Sequence, residues 1–132
     1  MARTIELADG VYRIATDNYR LTTGLVLGLE RALVVDTGAG PRQATEIYDE
    51  VRRLTRLPVT VVNTHGHYER FFGNDVFAAM GAEEFWAHPR AARAIRKYGE
   101  AQRPYVETLE PEMAHNQGAA TSIVVPNRLV AN

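Results

Sequence analysis

The chain has 132 residues, 45% of them hydrophobic and 23% charged, enough for a single globular domain over 1–132 with its own core and too apolar to stay disordered. Its 15 basic and 16 acidic side chains leave a net charge of -1, which gives no argument for nucleic acid or an anionic membrane as partner. There is no cysteine, so disulfides, thiolate metal ligands and thiol nucleophiles are excluded.

The first third reads as short strands. Thr4 to Leu7 and Val11 to Ala15 flank an Asp9-Gly10 turn and predict a hairpin, with a further turn at Asp17-Asn18. Thr22 to Leu29 predicts a third strand, with Leu25, Leu27 and Leu29 alternating against Val26, Gly28 and Glu30. Ala32 to Asp36 predicts a fourth, completing an antiparallel meander.

The pattern then changes. Asp36-Thr37-Gly38-Ala39-Gly40-Pro41 ends a strand and opens a helix, with Pro41 at the first helical position, where its missing N–H costs nothing. Ala44, Ile47, Tyr48, Val51 and Leu54 supply one apolar face, and Asp49 is placed to pair with Arg53 on the wet side. Gly38-Ala39-Gly40 lacks the third glycine of a dinucleotide loop, since Gln43 stands at that position, so a tight strand-to-helix turn is expected. Val59 to Asn63 is a β-branched, buried strand. Asn74 is placed to cap a short helix over 75–80, and Glu84 to Ala87 predicts the next strand. A basic helix follows from Pro89 to Gln102, carrying Arg90, Arg93, Arg96 and Lys97, with Pro104 expected to interrupt it. Its charges read as a solvated face or, alternatively, as a site for an anionic partner. A loop from Glu110 to Thr121 and a last strand at Ile123 to Val125 complete the reading. No run approaches membrane-spanning length and the first residues lack a signal-peptide core, so the cytoplasm is the default location.

Alternation of strand and helix from Ala32 onward predicts an α/β (α+β) fold: a mixed sheet whose second part is parallel, with right-handed crossovers. Ligands in such sheets bind beyond the carboxyl ends of the strands. Thr64-His65-Gly66-His67-Tyr68-Glu69 lies there. Side chains two apart on an extended segment point the same way, so His65, His67 and Glu69 are expected to converge. Two imidazoles and a carboxylate suit a borderline-soft cation such as Zn²⁺. Asp36 ends the neighbouring strand. It is either an acceptor for a histidine N–H or simply a turn residue.

Thr64-His65-Gly66-His67-Tyr68-Glu69-Arg70, followed by Phe72-Gly73-Asn74, resembles the T-H-x-H-x-D-H…G-N signature of the metallo-β-lactamase superfamily. Val34-Val35-Asp36-Thr37-Gly38 is similar to the strand that precedes it there, and Ala87-His88-Pro89 to the next strand end. The likeness runs from about Ile5 to Leu109. It implies an αββα sandwich and a metal-dependent hydrolase in which the ion lowers the pKa of bound water to about 7. By that resemblance His65 and His67 are ligands of the first metal, and Glu69 stands at the catalytic Asp position, binding a second metal or orienting the water. Glu69 carries one extra methylene, which shifts its carboxylate by roughly 1.5 Å. Arg70 stands where most of these hydrolases place a histidine, and a fixed cation there disfavours a second dication.

The family's remaining ligands belong to its second half, and neither His88 nor His115 matches one. Half of a sandwich, with helices on one face of the sheet, is therefore expected, with zinc held at an incomplete site and little or no hydrolysis by the isolated chain. A sheet face carrying Leu25, Leu27 and Val61 would then be uncovered, and the expected partner is a second copy in a homodimer or a complementary second half. A non-catalytic, degenerate member acting as a homodimeric interaction module is the alternative.

Overall fold

The computed structural model describes residues 2–16, 21–109 and 121–131. The turn expected at Asp17-Asn18, the loop expected from Glu110 and His115 within it lie outside these residues. Strands β1 (Arg3–Ala8), β2 (Val11–Ala15), β3 (Thr22–Leu27) and β4 (Ala32–Val35) form the expected antiparallel meander. Helix α1 (Pro41–Leu54) crosses over to β5 (Val59–Asn63), which pairs parallel to β4. Two short helices, α2 (Tyr68–Phe71) and α3 (Asn74–Ala79), lead to β6 (Phe85–Ala87). Helix α4 (Pro89–Leu109) and β7 (Arg128–Leu129) follow, and among the described residues the mixed sheet has seven strands, in chain order.

The core lies on one side of this sheet. Ile14, Leu25, Val34, Val59, Val61 and Phe85 are buried against Ala44, Ile47 and Val51 of α1 and Phe77 of α3. Each such side chain is worth about 1.5–3 kcal/mol when fully buried. Phe71 and Phe72 pack with Ile95 and Val106 in a second cluster beneath α4, and Ala87 packs with Ala91 and Ala92. Leu25, Leu27 and Val61 thus face the helices, contrary to the sequence expectation. The other face presents the alternate residues, in a row formed by the pairs Gly24–Val35, Val35–Val62 and Val62–Trp86 and a second formed by Val11–Val26 and Val26–Leu33. None of these side chains is among the fully buried ones, and Val26 is 39% exposed. A period of two separates the faces of a strand but does not say which one a helix covers.

Four local expectations fail for identifiable reasons. Arg53 pairs with Glu50 at 2.7 Å rather than with Asp49, both being within reach on a helix surface. Ile123, Val124 and Val125 form no strand: they fill gaps in the two main clusters, and pairing with β6 begins only at Arg128. Pro104 does not end α4. Burial of Val106 beneath Phe71 and Phe72, and Arg103 bonded to Glu100 and the Thr121 carbonyl, hold the helix across the missing N–H. Asn74 caps nothing, because its amide is used elsewhere. No helix among the described residues is long and apolar enough to cross a membrane.

Candidate metal centre

Beyond the carboxyl end of β5 the chain leaves the sheet as Thr64-His65-Gly66-His67 and closes one helical turn at Tyr68–Phe71. His65 and His67 lie before that turn and Glu69 within it, so the acid does not follow the extended alternation expected of it. The three side chains still meet, with one ligand atom from each all within 4.8 Å of one another. His65 Nε2 and His67 Nδ1 are 3.1 Å apart, and His67 Nδ1 lies 3.8 Å from Glu69 Oε1. Donors on a tetrahedral zinc at bonds near 2.1 Å are about 3.4 Å apart, between those two distances. The donor set and these two spacings suit such an ion, and drawing all three atoms, which span up to 4.8 Å, onto one centre takes a small side-chain movement, since two donors on one ion are at most about 4.2 Å apart.

The support beneath His65 is specific. Thr64 N–H donates to Asp36 Oδ1 and the Thr64 hydroxyl to Asp36 Oδ2, each at 2.8 Å. With its proton committed to Asp36, the hydroxyl oxygen accepts from His65 Nδ1–H at 2.9 Å. In that tautomer Nε2 keeps its lone pair, facing His67. Asp36 thus reaches the His65 ring through the Thr64 hydroxyl and not by direct contact. Its backbone has φ 68°, a left-handed conformation that a short polar residue tolerates better than a β-branched one. Burial pushes the Asp36 carboxyl above the usual aspartate range, outweighing the Thr64 amide and hydroxyl and the Arg70 guanidinium, which favour its charged form.

Arg70 lies between the two acids, with Nη1 3.4 Å from Asp36 Oδ2 and Nε 3.6 Å from Glu69 Oε1. It thus sets a positive charge beside one buried and one part-buried carboxylate. The Arg70 carbonyl accepts from Thr37 N–H at 3.1 Å and from Asn63 Nδ2 at 2.9 Å, which fixes the turn that carries Glu69.

Beneath this turn lies a buried amide cluster that sequence reading missed. Asn74 Nδ2 donates to Asn63 Oδ1 at 2.7 Å, and Asn63 Nδ2 returns a bond to Asn74 Oδ1 at 3.1 Å. The Thr37 hydroxyl also donates to Asn74 Oδ1 at 2.7 Å, and Asn74 Nδ2 reaches the Val124 carbonyl at 3.0 Å. The available signal was polar residues, Asn63 and Thr37, at the ends of otherwise apolar strands. Gly73 lets the chain pass over this cluster, since a Cβ there would come within 2.0 Å of the Thr37 carbonyl oxygen.

The other candidates separate from the cluster. His88 ends β6, with Nδ1 accepting from Arg90 N–H, and is exposed. Arg90, Arg93, Arg96 and Lys97 are exposed on α4, whereas Arg103 is engaged with Glu100. The Gly38-Ala39-Gly40 turn is closed by Gln43 Oε1 accepting from Ala39 N–H at 3.1 Å, so the residue that breaks the dinucleotide pattern holds the turn.

The model of the metallo-β-lactamase superfamily matches residues 22–124, most of the chain. The chain belongs to that superfamily. Among solved structures it is similar to a metallo-β-lactamase from Pontibacter korlensis, at 14% identity and a TM-score of 0.70, with all of this chain and 54% of that one aligned. A metallo-β-lactamase from Hirschia baltica aligns at 14% identity and a TM-score of 0.67, over 98% of this chain and 52% of that one. The DIM-1 metallo-β-lactamase aligns at 15% identity and a TM-score of 0.61, over 74% of this chain and 47% of that one. The chain thus spans about half the length of these structures. At such identities the likeness shows the fold, and the α/β arrangement with helices on one face of a mixed sheet agrees with it.

Proposed function

We propose that this superfamily member holds one zinc ion on His65, His67 and Glu69 and that the chain by itself supports little or no hydrolysis. The observation that carries the reading is the convergence of the three donors, with the Thr64 hydroxyl, itself bonded to Asp36, set 2.9 Å from His65 Nδ1. Held by His65, His67 and Glu69, a zinc ion would supply Lewis-acid activation of water near neutral pH. The protein's own residues do the rest. Thr64 and Asp36 orient one imidazole, and the Arg70 guanidinium lies 3.6 Å from the same Glu69 oxygen that faces His67. Glu69 cannot be both the third ligand and a free base for the attacking water, which is why weak turnover is expected of the isolated chain.

Calorimetric zinc titration of the chain and of His67→Ala tests this reading. One ion per chain is expected, with affinity falling at least about a hundredfold in the variant, since even loss of a supporting contact costs 10–100-fold. Equal binding by both proteins, or none by either, overturns it.

The open sheet face favours a second role compatible with the first, a homodimeric interaction module. Val26, Leu33, Val35, Val62 and Trp86 form a contiguous apolar surface that no helix among the described residues covers. A second copy would bring an apolar layer of matching size. Light scattering is expected to give twice the 14.7 kDa chain mass, falling to one chain in Val26→Lys. A monodisperse monomer at micromolar concentration overturns this role and leaves the zinc reading intact.

A further inference from the structure

The two histidines of the candidate centre flank a glycine, the residue with the most backbone freedom. A glycine between two ligands leaves their separation poorly defined unless something outside the loop holds it. In this chain the restraint comes from α4. Gln102 Nε2 donates to the Gly66 carbonyl at 2.9 Å, and a Cβ built on Gly66 would lie 2.8 Å from Ala94 Cβ. The Tyr68 ring meets the Tyr105 ring edge-on, with centroids 6.0 Å apart. Ala94, Gln102 and Tyr105 are offset by eight and eleven residues, which places all three on one side of the helix. The Gly66 backbone therefore rests on α4 while the His65 and His67 rings meet each other, 4.6 Å between centroids.

We propose that Gln102 is a positioning residue of the metal centre. By holding the Gly66 carbonyl against α4 it fixes the peptide unit between His65 and His67 and so sets the spacing of the two imidazole donors. Close packing of Gly66 on Ala94 is the second half of the device, because it leaves the loop no room to shift toward the helix. The inference rests on the zinc reading above and extends it to a helix that contributes no ligand.

The test is zinc affinity and the visible spectrum of the Co²⁺-substituted protein, measured for the unaltered chain and for Gln102→Leu, which keeps the bulk and removes the donor. Zinc affinity is expected to fall about tenfold, the low end of what lost supporting bonds cost metal sites. The Co²⁺ ligand-field bands are expected to shift, a change that a loss of stability alone would not produce. If Gln102→Leu does not fold, Gly66→Ala decides. Weakened zinc binding that recovers in the Gly66→Ala, Ala94→Gly pair supports the inference, and no recovery overturns it. Zinc binding and a Co²⁺ spectrum in Gln102→Leu equal to those of the unaltered chain overturn this inference alone. No zinc binding by the unaltered chain overturns the metal reading and this inference together.

Discussion

Replacing Asn74 with alanine should be among the most damaging single changes in the protein, although none of its hydrogen bonds goes to a proposed ligand. Asn74 is fully buried and takes part in four hydrogen bonds. Once it is truncated, the Thr37 hydroxyl can turn fully toward the Arg70 carbonyl, 3.3 Å away, and Asn63 Nδ2 keeps its own bond to that carbonyl. Asn63 Oδ1 and the Val124 carbonyl have no such relief and lose the Asn74 donor. Each buried polar atom orphaned in this way costs about 1–3 kcal/mol, so a loss of about 3 kcal/mol follows, with a modest cavity term in addition. In a domain of this size that lowers the melting temperature by roughly 10 °C. Urea denaturation followed by circular dichroism measures it as a lower midpoint at unchanged slope. Thr37→Val removes one of the four bonds and should cost about 1 kcal/mol. A loss below about 0.5 kcal/mol in Asn74→Ala would refute the idea that this amide cluster holds the turn carrying Glu69 and Arg70.

Gly73→Ala should cost about 3 kcal/mol or more, because its Cβ would meet the Thr37 carbonyl oxygen at 2.0 Å and backbone cannot move aside as a side-chain end can; thermal denaturation measures this. In metal-free protein the raised pKa of Asp36 predicts a definite sign. A carboxyl that binds its proton more tightly when folded contributes stability that is present below its unfolded pKa and is lost as the pH rises through the folded one. The stability of the unaltered chain relative to Asp36→Asn should therefore increase as pH falls from 7 toward 4, and a decrease over that range would show that the hydrogen bonds and Arg70 outweigh burial. Zinc at a hundred times its dissociation constant should stabilise the chain by about 2.7 kcal/mol, with no such gain in His65→Ala, as read from melting curves.

Much of the fold could be read from residue patterns. Val59, Val61 and Val62 announce a buried strand, and Pro41 with the spacing of Ala44, Ile47 and Val51 announces the crossover helix. His65, His67 and Glu69 converge as expected, but the route to that convergence differs. Glu69 arrives on a helical turn stabilised by Phe71 and Phe72 in the core, a long-range contact that a local reading does not contain. The covered face of the sheet is not legible in the strands alone, because Leu25 and Val26 are both apolar and only the position of α1 and α3 distinguishes them. A lone asparagine before an apolar run has the local meaning of a helix cap, so sequence alone predicts that role for Asn74. Its partners Asn63 and Val124 are distant in the chain, as is the Val106 packing that carries α4 through Pro104.

X-ray absorption at the zinc K-edge of the zinc-loaded protein bears most directly on the metal centre. The account predicts a shell of nitrogen and oxygen donors at about 2.0–2.1 Å, with the outer scattering of two imidazoles, reduced to one in His67→Ala. A shell of oxygen donors alone, or two imidazoles retained in His67→Ala, would contradict the assignment of His65, His67 and Glu69 as the zinc site.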